Sequence, residues 1–111
     1  MEHADTLHLV LKGKWYDLIA SGEKTEEYRE AKPYWIKRIL DDSSSKLLGA
    51  ASIPLLFSLR SKYERVCFHR GYTSQTMIFE IKDVLYDMGK VAWGAPVSKA
   101  VVIIKLGNRI A

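Results

Sequence analysis

The sequence predicts an α+β fold built on a small, mostly antiparallel sheet that curls towards a barrel, with two or three short helices. Short segments rich in strand-forming residues outnumber those with helical spacing. Met77, Phe79 and Ile81 recur at every second position, the pattern of a half-buried strand. The run Val101–Ile104 is apolar on both faces, as in a central or closed-barrel strand.

Length and charge predict one domain with a mild preference for anionic partners. The chain has 111 residues, of which 48% are hydrophobic, enough for one modest core spanning residues 1–111. It carries 17 Lys and Arg against 13 Asp and Glu, a formal net charge of +4. This surplus favours phosphate-bearing partners if the cations share one face, or otherwise serves solubility.

The first third of the chain predicts strand, helix and strand in turn. Thr6–Leu11 is rich in strand formers and is followed by a Gly-containing turn. Residues 14–21 place apolar side chains at i, i+3 and i+4, which predicts a short helix, and Gly22 follows where a left-handed cap belongs. Helical spacing stops there, and Thr25–Glu30 is predicted as a strand.

The rest of the chain predicts one more helix and three strands. A proline opens the apolar stripe of Pro33–Leu40, as is usual in a first helical turn. The polar run Asp41–Ser45 predicts a surface loop, and Leu47–Leu59, interrupted by glycine and proline, is left unassigned. The three predicted strands are Glu64–Arg70, Thr76–Tyr86 and Ala100–Leu106.

Cysteine usage and the N-terminus indicate a reducing, cytosolic location. Cys67 is the only cysteine, so an intramolecular disulfide is impossible and a thiolate zinc site would lack ligands. Its apolar neighbours predict a small core residue in a strand. The first five residues are polar, and neither a signal peptide nor a membrane span is expected.

The densest polar cluster follows the first predicted helix. On a strand, Glu27 and Arg29 share one face with Thr25, while Tyr28 points to the other. Lys24 lies at the turn and can reach back over the face of Glu27. Such a lysine acts as a general acid or base if burial lowers its pKa, or it holds a phosphate or carbonyl oxygen. The alternative is a solvated ladder of charges.

These residues match a known signature. Gly22-x-Lys24-x-x-Glu27-x-Arg29 resembles the G-x-K-x-x-E-x-R motif of the ASCH domain family. The order of the flanking strand and helix, the Phe68–Tyr72 turn, Trp93-Gly94 and the last strand is similar to compact bacterial and phage ASCH proteins. The resemblance leaves Asp41–Leu59 unaccounted for. It implies a β-barrel of the PUA-like superfamily with a cleft lined by the signature residues.

The resemblance implies an RNA- or nucleotide-binding domain, because relatives of that fold bind RNA or read modified bases. In this interpretation Lys24 and Arg29 meet phosphate or base oxygens, Glu27 orients Arg29 or accepts from an exocyclic amine, and an aromatic ring stacks.

An enzyme is the alternative. One bacterial branch resembles an amidohydrolase acting on 4-acetylcytidine, and another has ribonuclease activity, so Lys24 and Glu27 would form the acid–base pair. In the amidohydrolase branch the signature lysine works with a threonine and a further glutamate. This sequence has Glu27 where that branch has threonine, and Glu80 is the candidate for the further glutamate. A third possibility is a protein-interaction or regulatory domain with a degenerate site.

Other residues complete the predicted site. His69, Arg70 and Tyr72 surround a glycine turn, a common place for binding residues, and Trp93 lies in a loop where it either closes the barrel end or stacks on ligand. The predicted ligand-binding residues are Lys24, Tyr28, Arg29, His69, Arg70, Tyr72 and Trp93. Phosphate-loop, nucleophile-elbow and zinc-peptidase motifs do not occur, so neither a cofactor nor a metal is implied. The oligomeric state is left open.

Overall fold

The computed structural model describes residues 6–49 and 57–111, and within them six strands form one curled sheet accompanied by three helices. The strands are β1 (Thr6–Leu11), β2 (Glu26–Glu30), β3 (Phe57–Leu59), β4 (Arg65–Arg70), β5 (Thr76–Met88) and β6 (Ala100–Arg109), and the helices are α1 (Gly13–Ala20), α2 (Pro33–Ile39) and α3 (Asp42–Gly49). A 3-10 turn, Val91–Trp93, follows β5. This architecture confirms the predicted α+β class.

The sheet has the order β1-β4-β5-β6-β2, with β3 beside the second half of β5. β1 and β4 run parallel, whereas the other described pairs are antiparallel, as predicted for most of the sheet. The register of β5 against β6 shifts on both sides of Ile81. Such irregularities bend a strand and increase its twist, and the sheet curls into a half-barrel.

The core lies inside the curl. In β1 the alternating residues Leu7, Leu9 and Leu11 are buried, while His8 and Val10 face outward and are exposed. A smaller apolar cluster on the other face contains Tyr28, Ala95, Val101 and Ile103. Strand β6 is therefore buried on both faces, and its residues 101–104 are at most 3% exposed, which confirms the two-faced apolar pattern of that segment.

Most predicted elements occur with nearly the predicted bounds. β1 has the bounds predicted for it, and α1 ends before Gly22, whose φ of 85° is the left-handed conformation expected of a helix-terminating glycine. Pro33 opens α2. The later strands β4, β5 and β6 begin within one residue of the predicted starts.

The predicted loop at Asp41–Ser45 is wrong, because α3 begins at Asp42. The Asp41 carboxylate accepts a hydrogen bond from the Ser44 backbone N–H at 2.8 Å, as an N-terminal cap does. The polar run is a helix start, since Asp and Ser are as suited to capping as to turns. In the unassigned segment Leu47–Leu59, α3 continues to Gly49 and β3 begins at Phe57; residues 50–56 lie outside the described residues.

In the described part of the chain, no helix combines the length and the apolar character that crossing a membrane requires.

Candidate functional site

An open cleft lies where β1, α1, β2 and α2 meet the Val91–Trp93 turn. Its volume is about 620 Å³, within the range of small-molecule sites in proteins. Aromatic and cationic side chains form much of its lining, and one carboxylate, that of Glu27, lies among them.

Lys24 is placed by the turn that ends α1. Its backbone N–H donates to the Leu18 carbonyl at 3.0 Å, and the left-handed Gly22 redirects the chain between them. The side chain is among the largest fully buried ones described, with 1% exposure. Its Nζ donates to the Glu26 carbonyl and to Glu27 Oε1, the latter at 2.8 Å. The ammonium is thus enclosed beside the cleft, and Glu27 itself lines the cleft.

Glu27 joins two cations through its two oxygens. Oε1 accepts from Lys24, and Oε2 accepts from Nη1 of Arg29, which also donates to the Tyr28 carbonyl at 2.8 Å. The Arg29 guanidinium lies 5.0 Å from the ring centroid of Trp35. A carboxylate oxygen has two lone pairs, so each can accept one further hydrogen bond from a ligand.

Burial dominates the electrostatics of Lys24. Desolvation lowers the pKa of its ammonium below the ordinary 10.5, although the charge and hydrogen bond of Glu27 act in the opposite direction. Burial likewise raises the pKa of Tyr28, whose hydroxyl donates to Glu26 Oε1 and accepts from the Lys90 N–H. The lysine therefore releases its proton more readily than a solvated lysine does.

Five aromatic side chains line the cleft: Trp15, Tyr28, Tyr34, Trp35 and Trp93. Tyr28 is buried and Trp15, Trp35 and Trp93 are half-buried, whereas Tyr34 is 59% exposed. Tyr34 packs edge-on against Trp35 with 4.8 Å between centroids. Its ring is the one most accessible to a stacking ligand.

Lys12 and Arg38 add positive charge to the cleft. Lys12 is exposed, and Nη2 of Arg38 donates to the His8 carbonyl at 2.7 Å. Nε of Arg38 is buried without a hydrogen-bond partner among the described residues. Together with Arg29, these side chains make the cleft suited to an anionic ligand.

The structure separates the predicted site residues into two groups. Tyr28, Arg29 and Trp93 line the cleft with Glu27, and Lys24 lies beside it. His69, Arg70 and Tyr72 do not line it. Arg70 instead pairs with Asp17, at 3.0 Å from Nε to Oδ1 and 2.9 Å from Nη2 to Oδ2, and Tyr72 is 99% exposed.

Glu80, the candidate for a further glutamate, does not line the cleft that Glu27 lines. It is exposed on β5, accepts the Asn108 N–H at 3.4 Å, and lines a second cleft of about 960 Å³ together with Glu64 and Asp83. Among the described residues, Glu80 makes no hydrogen bond or ion pair with Lys24 or Glu27.

Four cleft residues carry no ligand signal in the sequence: His8, Lys12, Trp15 and Arg38. Trp15 belongs to the apolar stripe of α1, which predicts a core position. In the structure its side chain is only half-buried. Lys12 and Arg38 have other charged residues near them in the sequence, so neither stands out there. Only the packing of β1, α1 and α2 brings them to one cleft.

Three side chains of types that can ligate a metal also meet, and two of them, His8 and Cys67, are outside the predicted set. His8 on β1 lies beside Cys67 and His69 on β4, with ligand atoms within 4.8 Å of one another. Cys67 and His69 are neighbours in the sequence, but sequence spacing indicated no third ligand, because His8 is far away along the chain. The expectation that a Cys67 site would lack ligands does not hold in this fold.

Comparison with protein-family models, with curated proteins and with solved structures finds no match to this chain. The ASCH resemblance therefore stays a prediction, and the geometry of the cleft has to carry any proposal about function.

Proposed function

We propose that the cleft binds a ligand carrying a nucleobase, either a nucleotide or an unpaired stretch of RNA. The observation that carries this proposal is the cluster formed by the buried Lys24 and Glu27 with the half-buried Arg29, at the side of an aromatic, cationic cleft. Pairing offsets only part of the cost of burying charges, so structural stability is a weak reason for such a cluster. Buried ionisable groups of this kind are common at binding and catalytic sites.

Each part of the cleft suits one part of such a ligand. Tyr34 offers an exposed ring for stacking on a base, and Glu27 has free lone pairs for an exocyclic amine. Arg38 and Lys12 suit phosphate oxygens, and Arg29 is held beside them. The proposal is consistent with the net charge of +4.

Titration of the full chain with mononucleotides and short single-stranded RNAs, followed by tryptophan fluorescence or anisotropy, tests the proposal. We expect saturable binding that weakens with added salt. Tyr34→Ala should weaken it about 5- to 150-fold, the range for loss of one stacked aromatic. Tyr72→Ala is the matched control, because Tyr72 is more exposed but lies outside the cleft.

A second pair of variants separates the cleft from general surface charge. Arg38→Ala should weaken binding and reduce its salt dependence, whereas Arg70→Ala should do neither, because Arg70 lies outside the cleft. Equal effects of the two substitutions, or no saturable binding of any nucleotide or RNA, would contradict the proposal.

Hydrolysis of a modified nucleoside or of RNA is the second candidate, favoured by the lowered pKa of Lys24 and its contact with Glu27. It predicts turnover of 4-acetylcytidine or RNA that disappears in Lys24→Met with the fold intact. No product at high enzyme concentration would argue against it.

A protein-interaction role with a degenerate site calls for a flat, solvated cluster, and burial of Lys24 gives it no support. Both candidates suit a reducing cytosol, where Cys67 stays free of disulfide bonds.

A further inference from the structure

We propose that His8, Cys67 and His69 form a metal site that takes a borderline-soft cation, Zn²⁺ in the first instance. The site joins β1 to β4 and goes beyond ligand binding in the cleft. Its two strands hold all three ligands, so the backbone positions the side chains before any ion arrives.

Strand register brings the three residues together. β1 and β4 pair in parallel, with His8 opposite Cys67 and Val10 opposite His69. Residues two apart on a strand point to the same face, so Cys67 and His69 share the face of His8. The alternate residues Leu9 and Phe68 point into the core and anchor both strands from behind.

Two of the three distances between ligand atoms lie close to those that zinc requires, and the third, between His8 and Cys67, is at most 4.8 Å. His8 Nδ1 is 2.9 Å from His69 Nε2, and Cys67 Sγ is 3.7 Å from the same nitrogen. Tetrahedral bonds from zinc to nitrogen and sulfur place two nitrogens about 3.4 Å apart and nitrogen and sulfur about 3.6 Å apart. Binding thus requires the two imidazole nitrogens to separate by about 0.5 Å, which a small ring rotation provides.

Hydrogen bonding alone does not satisfy this arrangement. His69 Nε2 either carries one hydrogen or offers one lone pair, yet it contacts both His8 Nδ1 and Cys67 Sγ. One of the two contacts therefore lacks a full hydrogen bond. A cation between the three atoms would accept one lone pair from each of them at once.

The ligand set selects the kind of ion. Two imidazoles and a thiolate suit zinc, whereas magnesium and calcium prefer oxygen ligands. The Thr76 hydroxyl hydrogen-bonds Cys67, the kind of outer contact that orients a metal ligand. On binding, the thiol proton passes to solvent and sulfur coordinates as thiolate. Three protein ligands leave a fourth position for water.

Zinc titration of the metal-free full chain tests the proposal by calorimetry and thermal unfolding. We expect one ion per chain and a raised melting temperature, because the ion links strands whose ligands lie 61 positions apart in sequence. Cobalt in place of zinc should give a sulfur-to-metal charge-transfer band. Cys67→Ser should abolish that band, and His69→Gln should weaken zinc binding more than about 100-fold, since even outer-shell contacts are worth about 10- to 100-fold.

His3→Gln is the matched control, since His3 is the remaining histidine of the chain, and it should leave zinc affinity unchanged. His8→Gln changes an exposed side chain, so it tests the site in a folded protein even if Cys67→Ser unfolds. No saturable zinc binding, a cobalt spectrum without the thiolate band, or unchanged affinity in His8→Gln would each overturn the proposal. Of the three ligands only His8 also lines the cleft, and the nucleobase proposal gives it no role, so such a result leaves the proposed nucleobase binding standing.

Discussion

At two places in the molecule, a glycine in the left-handed conformation lies within two residues of a cationic side chain that forms an ion pair with an acidic one. Gly22, with φ of 85°, precedes Lys24, and Gly71, with φ of 55°, follows Arg70. Neither glycine would bring an added Cβ within 4 Å of another atom, so backbone conformation alone explains both. Lys24 pairs with Glu27 and Arg70 with Asp17, at nearly equal distances of 2.8 and 2.9 Å.

Burial separates these two pairs. The side chains of Lys24 and Glu27 are 0% and 7% exposed, whereas those of Arg70 and Asp17 are 35% and 61% exposed. Desolvation is accordingly the main influence on the pKa of Lys24, while the Arg70 hydrogen bond is the main one lowering the pKa of Asp17. Two ion pairs of similar length therefore differ in energy, because water screens one pair and is excluded from the other.

Removing Glu27 should produce the largest effect. Glu27→Ala leaves the buried Lys24 ammonium and the nearby Arg29 guanidinium without their shared carboxylate. We expect the free energy of unfolding to fall by about 3–5 kcal/mol, measured by urea denaturation. Asp17→Ala is the surface control and should leave the urea midpoint unchanged. A similar small change in both variants would show that the Lys24 cluster is hydrated in solution.

Substitution of Gly22 should have the next largest effect. Gly22→Ala places a Cβ on a residue with φ of 85°, which should lower the free energy of unfolding by about 1–2 kcal/mol. Gly71→Ala should cost less, because φ of 55° lies within the left-handed region that other residues adopt. Urea denaturation of both variants measures the difference, and a larger loss for Gly71→Ala would contradict this ranking.

The buried lysine should also give stability a pH dependence. In the folded protein the pKa of Lys24 lies below the 10.5 of the unfolded chain, so between these values the unfolded state binds more protons. Stability of the wild type relative to Lys24→Met should therefore rise with pH across this window, by at most about 1.4 kcal/mol per pH unit. Paired urea denaturations at increasing alkaline pH measure the difference. A stability difference that stays constant or falls as the pH rises would contradict a lowered pKa of Lys24.

Loss of the surface pair should have the smallest effect. Arg70→Ala removes a guanidinium that water already screens, so the urea midpoint should stay unchanged within error. Arg70 also packs closely against Gly13 at the start of α1, since a Cβ added at Gly13 would lie 2.8 Å from Nη2 of Arg70. Arg70→Ala therefore opens space there and creates no clash. A clear loss of stability would show that the contact of Arg70 with the start of α1 matters more than its charge.

Local features of the sequence predicted much of the fold. Pro33 indicated the start of α2, Gly22 the end of α1, and the apolar run at Val101–Ile104 a strand buried on both faces. Asp41 was misassigned because one side chain serves turns and helix caps equally well.

The candidate site divides in the same way. Glu27 and Arg29 share a face because strand residues alternate, a rule that depends only on neighbours along the chain. By contrast, Arg38, Lys12 and Trp15 reach the cleft only because separate elements pack together. His69 and Arg70, predicted as site residues, do not line the cleft, although His69 contacts the cleft residue His8.

The sequence by itself determined the end of α1, the start of α2, the alternation of the strands and the shared face of Glu27 and Arg29, because these depend on backbone conformation over a few residues. Only the tertiary structure decided that Lys24 is buried, that Arg70 is exposed and that His8 lies beside His69. Burial and long-range contact arise from the packing of distant segments, and no local pattern encodes them.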